Sequence, residues 1–300
     1  MSPILRWSKL GSKTPKDTAH EICSIGEKKA THNFFNLLIL SVMAGAYIGF
    51  GAQFLISFTF DAAKYVGAGM ARFLGASVFC TGLFMILMTG AELFTGNSLM
   101  TVGLFNGKIK LSSLLRNWTI VYLGNFVGAA LMAGFIFYSG AWKANENAPG
   151  IFALNMAITK VQIPFWIALV KGIGANWLVC MAVWLWVSSD RVIDKIIGMY
   201  LPIVAFVVMG FEHSIANMFL LPMGLLLKSV VSTSGAVQLT ISSVIFNNLI
   251  PVTIGNIIGG VVFMAIPYWY VYIRNHQEQQ VSDGQWLVNK VRVVRDKLTA

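Results

Sequence analysis

The chain alternates between long apolar segments and short polar ones. Four apolar segments, residues 34–58, 117–142, 161–189 and 249–273, have the length of one membrane-spanning helix, since about 20 apolar residues cross a bilayer core of roughly 30 Å. Lys171 is the only charged residue within them. We therefore predict four plain transmembrane helices.

Two further apolar segments are too long for one straight helix. Residues 73–107 contain a single charged residue, Glu92, and residues 196–227 contain only Glu212. At a rise of 1.5 Å per residue each segment would be about 50 Å long. Because each acid lies near the middle of its segment and close to glycines, we predict that both helices break there. The chain then crosses the membrane six times and both termini lie on the same side.

The two predicted breaks have similar sequences and define an internal repeat. Residues 90–97 and 210–217 both fit Gly-x-Glu-x-x-x-small-Asn, and residues 124–128 and 255–259 both read Gly-Asn-x-x-Gly. Because each unit has three crossings, the second copy is inverted. Inverted repeats with a broken helix in each half mark a transport pathway near the bilayer midplane. We predict an all-α membrane protein of six transmembrane helices in two inverted three-helix repeats, with helices 2 and 5 broken.

Composition excludes most other classes of protein. Apolar residues make up 56% of the chain and charged residues 11%, against about 25% charged in a typical globular domain. One membrane histidine and two separated glutamates provide neither a catalytic set nor metal ligands. We expect no enzyme activity, no cofactor and no metal site.

The net charge of +10 is explained by membrane orientation. Sixteen Lys and Arg residues lie in the tails, in the loops of one side and at the end of the last span (Arg274), and five, including Lys143 and Lys160, lie in the loops of the other side. The positive-inside rule places both termini in the cytoplasm, and no nucleic-acid partner is expected. We divide the chain into an amphipathic, polar N-terminal tail (1–33), in which a charged surface helix is expected, a channel domain (34–275) and a basic amphipathic C-terminal tail (276–300) suited to membrane lipid.

The polar residues at the breaks are predicted to be structural. Glu92 and Glu212 are expected to accept backbone N–H groups freed where the following half-helix begins. Four asparagines, Asn97, Asn217, Asn125 and Asn256, are expected to satisfy the remaining backbone groups. Small residues spaced by four, including Gly45, Gly124, Gly128, Gly255 and Gly259, are expected to allow close helix packing.

His213 is the candidate functional residue of the membrane region. It is the only histidine in any predicted span, and the first repeat has Leu93 in its place. We expect it to face the pore. Imidazole titrates near neutral pH, so it can be a neutral donor or a cation.

At these residues the sequence resembles the formate–nitrite transporter family. The signatures are residues 88–96, Met-Thr-Gly-Ala-Glu-Leu-Phe-Thr-Gly, and residues 172–180, Gly-Ile-Gly-Ala-Asn-Trp-Leu-Val-Cys. Residues 210–224 look most like the formate-channel branch. The resemblance implies an aquaporin-like protomer with its own pore, a homopentamer, and transport of small monovalent anions across a bacterial cytoplasmic membrane.

The resemblance also implies roles for individual residues. His213 would be the central pore histidine, Thr95 its partner, Asn176 the polar residue facing it, and Lys160 the lysine of the outer vestibule. The inner constriction would consist of Leu83, Leu93 and Phe94, and the outer one of Phe79 and Phe206. Formate channels continue after the lysine with two histidines, where this chain has Gln162 and Ile163.

Formate is the leading candidate substrate, carried through a channel or together with a proton. Nitrite and hydrosulfide are alternatives within the family, and lactate or acetate are also considered. An aquaporin-like channel for neutral solutes is the alternative of another class. Such a channel would carry Asn-Pro-Ala at its half-helices, and neither break contains proline.

Overall fold

The structure is a computed structural model that describes residues 11–274. Most of this part is helical, in ten helices that we number in chain order: α1 Pro15–Ala30, α2 Phe34–Thr59, α3 Ala63–Thr89, α4 Thr101–Phe105, α5 Leu111–Ser139, α6 Ala144–Val161, α7 Phe165–Ser188, α8 Val192–Val208, α9 Ser214–Leu227 and α10 Ser243–Arg274. A 3₁₀ turn, Gly96–Met100, leads into α4, and α10 contains three π-helical stretches.

The membrane topology agrees with the sequence prediction. Among the described residues, α2, α3, α5, α7 and α10 are each long and apolar enough to cross a membrane. The sixth crossing is built from α8 and α9, which have 17 and 14 residues. The prediction of an all-α membrane protein with broken helices 2 and 5 is confirmed. The predicted C-terminal tail, residues 276–300, lies outside the described residues.

The two breaks have the same backbone geometry. Gly90 ends α3 with φ of 71°, and Gly210 follows the end of α8 with φ of 67°. In both, the N–H of the next residue bonds to the carbonyl five residues earlier at 3.1 Å. This is a Schellman-type helix end, which requires a left-handed residue and therefore favours glycine. The repeated glycine in the sequence pattern thus marks where each helix stops.

The structure adds a helix in front of each three-helix unit. Helix α6 occupies most of the region that the sequence assigned to an outer loop, and α1 forms within the predicted N-terminal tail. Both end four residues before the start of the next long helix, at Ala30 and Val161. Nine of the 16 residues of α1 and six of the 18 residues of α6 are polar, so neither helix forms a long apolar segment in the sequence. The structural repeat therefore contains this helix as well.

The beginning of α1 is held against the loop that joins α7 and α8. The Lys13 ammonium lies 2.7 Å from Glu21 and 3.3 Å from Asp190. Burial lowers the pKa of Lys13, but the hydrogen bonds and charges of these two carboxylates outweigh burial and raise it. The Lys13 N–H also donates to the carbonyl of Ser188 at 2.7 Å. Residues from Gly11 onward therefore pack against the rest of the described structure.

Glycines bring the long helices of each repeat into contact. A Cβ at Gly45 would overlap the Asn125 carbonyl, and one at Gly128 would overlap the Val42 carbonyl, so α2 and α5 meet backbone to backbone. Helices α7 and α10 meet in the same way at Gly255 and Gly259, opposite the carbonyls of Leu169 and Ile173. The predicted packing role of these small residues is confirmed.

Candidate pore and its helix breaks

The two breaks meet at a buried pair of polar side chains. Thr95, at the end of the first break, and His213, the N-cap of α9, lie 2.9 Å apart between Oγ1 and Nε2. The N–H of Ala216 donates to His213 Nδ1 at 3.2 Å. In the neutral ring the proton is therefore on Nε2, which donates to Thr95. This arrangement leaves the Thr95 hydroxyl hydrogen available to another acceptor.

The residues assigned to the outer constriction lie together beside this pair. The rings of Phe79 and Phe206 pack edge to face with centroids 5.9 Å apart, and Phe206 lies 5.9 Å from the imidazole of His213. Both phenylalanines are buried. Two buried aromatic rings therefore adjoin the polar pair directly, and their role as a constriction stays a prediction.

A cavity of about 310 Å³ adjoins the first break. We call it the α1 cavity, because residues of α1 and of the short connection to α2 line its wall. These residues are Ile22, Ile25, Gly26, Lys28, Lys29 and His32. Leu83 and Leu93, assigned to the inner constriction, line it as well. The ring of Phe94 instead packs against α5, 4.9 Å from Tyr122 and 5.9 Å from Trp118 between centroids.

Glu92 is the centre of a buried polar cluster in the first repeat. Its carboxylate accepts from Lys29 Nζ at 2.8 Å and from Asn97 Nδ2 at 2.7 Å. Lys29 also donates to Asn97 Oδ1 at 2.9 Å, and Asn97 Nδ2 lies 2.9 Å from Asn117 Oδ1. The side chain of Glu92 is 3% exposed, so the lysine supplies the charge that a buried carboxylate needs.

Glu212 has equivalent partners in the second repeat, with one additional asparagine. Its carboxylate accepts from Lys160 at 2.8 Å, from Asn217 at 2.7 Å and from Asn248 at 3.3 Å. Asn217 also donates to Asn248 Oδ1 at 2.7 Å.

The expectation for the two carboxylates was therefore wrong in one respect. They accept from lysine and asparagine side chains, where backbone N–H groups were expected. The sequence did not single out Lys29, Asn117 or Asn248, because these partners lie on other helices. The shared spacing of five residues from each lysine to the start of the next long helix could have indicated Lys29.

The asparagines of the following helices satisfy the backbone at the breaks. Asn125 Oδ1 accepts from the N–H of Phe94 and Asn256 Oδ1 from the N–H of Ser214, both at 2.9 Å. Their Nδ2 groups donate to the carbonyls of Glu92 and Glu212 at 2.9 and 3.0 Å. The predicted structural role of Asn125 and Asn256 is confirmed, whereas Asn97 and Asn217 bond to side chains.

Asn176 lies beside the polar pair but is occupied by protein groups. Its Nδ2 donates to the carbonyl of Asn256 at 2.6 Å, and it lies 3.2 Å from both the Thr95 carbonyl and the Ser98 hydroxyl. In this conformation it fixes the position of Thr95. Its role as a residue facing the substrate stays a prediction.

Two inverted repeats whose helix breaks meet at a buried polar pair define a membrane transport protein of the channel type. The family model described as formate/nitrite transporter matches residues 16–270. The chain belongs to this family.

Proteins similar to this chain include named formate transporters. It is 38% identical over 282 residues to the "Probable formate transporter" of Methanothermobacter thermautotrophicus, covering 87% of this chain and 98% of the relative. It is 38% identical over 261 residues to the "Formate channel FocA" of Escherichia coli strain K12, covering 84% and 91%. A solved "Pentameric formate channel with formate bound" is similar with a TM-score of 0.71 and 33% identity, covering 80% of this chain and 98% of that one.

Proposed function

We propose that this protein transports formate, or an equally small monovalent weak-acid anion, through a pore in each protomer. The observation that carries the proposal is the buried Thr95–His213 pair where the two broken helices meet. The named formate channels among its relatives support this choice of substrate.

The path runs from the α1 cavity past Leu83 and Leu93 to the polar pair, and then past Phe79 and Phe206. A bare anion in an apolar constriction is costly because it loses its water. Thr95 and His213 reduce this cost by hydrogen-bonding the anion between the two apolar gates. At this position the anion either takes a proton and leaves as the neutral acid, or remains an anion whose charge a protonated His213 ring balances while it passes.

Lys160 has a different role from that of a free cation at the outer mouth. Its side chain is 15% exposed and its ammonium forms an ion pair with Glu212, so its charge is largely balanced. We infer that it holds the second break in place, as Lys29 holds the first, and that it adds only a weak attraction for incoming anions.

The functional unit in the membrane is a homopentamer, by analogy with the pentameric formate channel that the chain resembles. Both termini lie in the cytoplasm, as the distribution of Lys and Arg indicates. The α1 cavity is then the cytoplasmic mouth of the pore. We place the protein in a bacterial cytoplasmic membrane and assign it no catalytic activity.

The proposal is tested by uptake of labelled formate into proteoliposomes, with and without an inward proton gradient. Nitrite, hydrosulfide and lactate serve as competitors. Uptake that depends on the gradient indicates formate–proton transport, and uptake driven by voltage alone indicates an anion channel. Failure of folded pentamer to take up formate would contradict the formate assignment and favour nitrite or hydrosulfide. Uptake of water or glycerol instead would indicate the aquaporin-like function.

A further inference from the structure

The ammonium group of Lys171 has no counter-charge within the described part of the chain. Lys171 is the seventh residue of α7, which begins at Phe165, and is the only charged residue of the four plain transmembrane segments. No ion pair or hydrogen bond joins its side chain to another described residue. A charged side chain at membrane depth is costly unless it pairs with another group. Lys171 therefore needs a partner from outside the protomer.

Lys171 lies at the edge of the outer surface of α7. Ile167 and Val170, four residues and one residue earlier, are exposed, whereas Ala168 is fully buried. Lys171 itself is partly exposed. Its carbonyl accepts from the N–H of Glu212 at 3.3 Å, so the second break holds this turn of α7 in place. The side chain thus starts from a fixed point at the margin of the surface that faces the membrane.

The depth of Lys171 allows its ammonium to reach the lipid headgroups. The first residues of α7, Phe165 and Trp166, are exposed aromatic residues of the kind found at the membrane–water interface. At 1.5 Å per residue, Lys171 lies about 9 Å further along the helix than Phe165, which is less than the roughly 15 Å of hydrocarbon in one leaflet. Lysine side chains near the end of a transmembrane helix extend toward the interface. A phosphate at this end of α7 is therefore within reach.

A neighbouring copy of the chain offers no free carboxylate at this depth. Among the described residues, the acids within the membrane-spanning segments are Glu92 and Glu212, and each is already paired with a lysine. Asp61 and Glu146 lie beyond the long helices, between α2 and α3 and in the first turn of α6. Lipid phosphate is thus the anion that this part of the membrane supplies.

An apolar surface continues inward from the charge. Trp177 lies two helical turns after Val170 on the same face of α7 and is exposed. Its ring packs against that of Phe263 on α10, with centroids 4.9 Å apart. These side chains form a surface along which an acyl chain can lie.

The first repeat has no charge at the matching position. Leu40 corresponds to Lys171, because its carbonyl accepts from the N–H of Glu92 at 3.1 Å, as that of Lys171 accepts from Glu212. A lysine at this depth is therefore present on one side of the membrane only, the side on which α6 lies.

We propose that Lys171 binds the phosphate group of an anionic phospholipid in the leaflet beside α6, which is the outer leaflet in the proposed orientation. The ammonium pairs with the phosphate, and an acyl chain lies along Val170, Trp177 and Phe263. The inference does not depend on which anion the pore carries.

The test is lipid binding to the delipidated pentamer, measured by native mass spectrometry. The lipids are dioleoyl phosphatidylglycerol, which is anionic, and dioleoyl phosphatidylcholine, which has no net charge. Lys171→Leu should bind phosphatidylglycerol about fivefold more weakly than wild type, since one basic residue near the membrane surface contributes about this factor. Its binding of phosphatidylcholine should change little, and Lys171→Arg should bind both lipids as wild type does.

Two further measurements accompany the comparison. Lys64→Leu removes the same charge from an exposed position and should bind phosphatidylglycerol as wild type does. Photo-crosslinking of wild type with a phosphatidylglycerol that carries a reactive group in its acyl chain needs no variant to fold. It should label α7 or the facing part of α10, and labelling confined to other helices would contradict the site.

Three other outcomes would overturn the inference. Equal affinity of wild type and Lys171→Leu for phosphatidylglycerol would remove Lys171 from lipid binding. Displacement of phosphatidylglycerol from wild type by sodium formate, but not by sodium chloride of the same concentration, would show that Lys171 binds the small anion instead. A Lys171→Leu protein that loses its pentamer at unchanged lipid content would place Lys171 in a contact between protomers.

Discussion

At the scale of single residues, the geometry around His213 determines what this side chain can do. Thr95 and His213 are 118 positions apart in the chain, and each lies at the end of a helix break. The Ala216 N–H occupies Nδ1, so Nε2 and the Thr95 hydroxyl remain as the pair that can face a substrate. The sequence predicted that His213 faces the pore, because it is the only histidine in a predicted span and lies at a helix break. Only its resemblance to a family suggested Thr95.

Replacing His213 by Phe should abolish the dependence of transport on the proton gradient, because the proton carrier is lost. Thr95→Val keeps the imidazole and removes one hydrogen bond of roughly 1 kcal/mol, so we expect about a fivefold slower rate with the gradient dependence retained. Both are measured as formate uptake into proteoliposomes. A His213→Phe protein with the gradient dependence of wild type would show that His213 takes no part.

Gly128 and Gly134 on α5 provide a matched pair for helix packing. Gly128→Ala forces a methyl group against the Val42 carbonyl, whereas a Cβ at Gly134 meets nothing within 4 Å. We expect Gly128→Ala to lower the stability of the purified protein by about 1–3 kcal/mol and Gly134→Ala to leave it nearly unchanged. Thermal unfolding in detergent measures both. Equal effects would mean that α2 and α5 do not pack as described.

At the scale of elements, α1 and α6 are equivalent parts of the two repeats. Each ends near a lysine that reaches a buried glutamate on a broken helix, 63 residues away for Lys29 and 52 for Lys160. These short helices therefore help to hold both breaks in place. The sequence located both breaks but did not show that α1 and α6 anchor them, because no local pattern specifies which distant glutamate a lysine will reach.

Lys160→Gln should destabilise the protein strongly, because it leaves the Glu212 carboxylate buried without a counter-charge. Loss of one partner of a buried pair costs about 3–5 kcal/mol, whereas removal of both is often much less harmful. The double variant Lys160→Gln/Glu212→Gln should therefore recover part of the stability. Lys64→Gln, at an exposed lysine, is the control. Thermal unfolding of wild type, Lys160→Gln, Glu212→Gln and the double variant completes the cycle, and additive effects would contradict a direct coupling.

At the scale of the whole molecule, large apolar side chains on the outer surface indicate burial by lipid or neighbouring protomers. Phe35 and Trp166 are both 73% exposed at corresponding positions at the starts of α2 and α7. A soluble monomer does not present a surface of this kind. The proposed orientation of this body in the membrane rests on the distribution of Lys and Arg between its two ends.

Cysteine labelling tests that orientation. The three native cysteines, Cys23, Cys80 and Cys180, are buried, so background labelling should be low. Cysteines introduced at the exposed positions Lys64 and Lys143 should react with a membrane-impermeant maleimide from outside intact cells. A cysteine at the exposed Lys108 should react only after permeabilisation. The reverse pattern would place both termini outside.

The sequence by itself determined the membrane class, the six crossings, the two breaks and the inverted repeat. These depend on local properties, namely segment length, the glycine that ends a helix, and an acid in an apolar segment. The tertiary structure decided which groups meet. It paired Glu92 with Lys29 and Glu212 with Lys160, turned Phe94 toward α5, and placed His32 in the α1 cavity. Such contacts join residues far apart in the chain, and no local pattern specifies which distant helix supplies a partner.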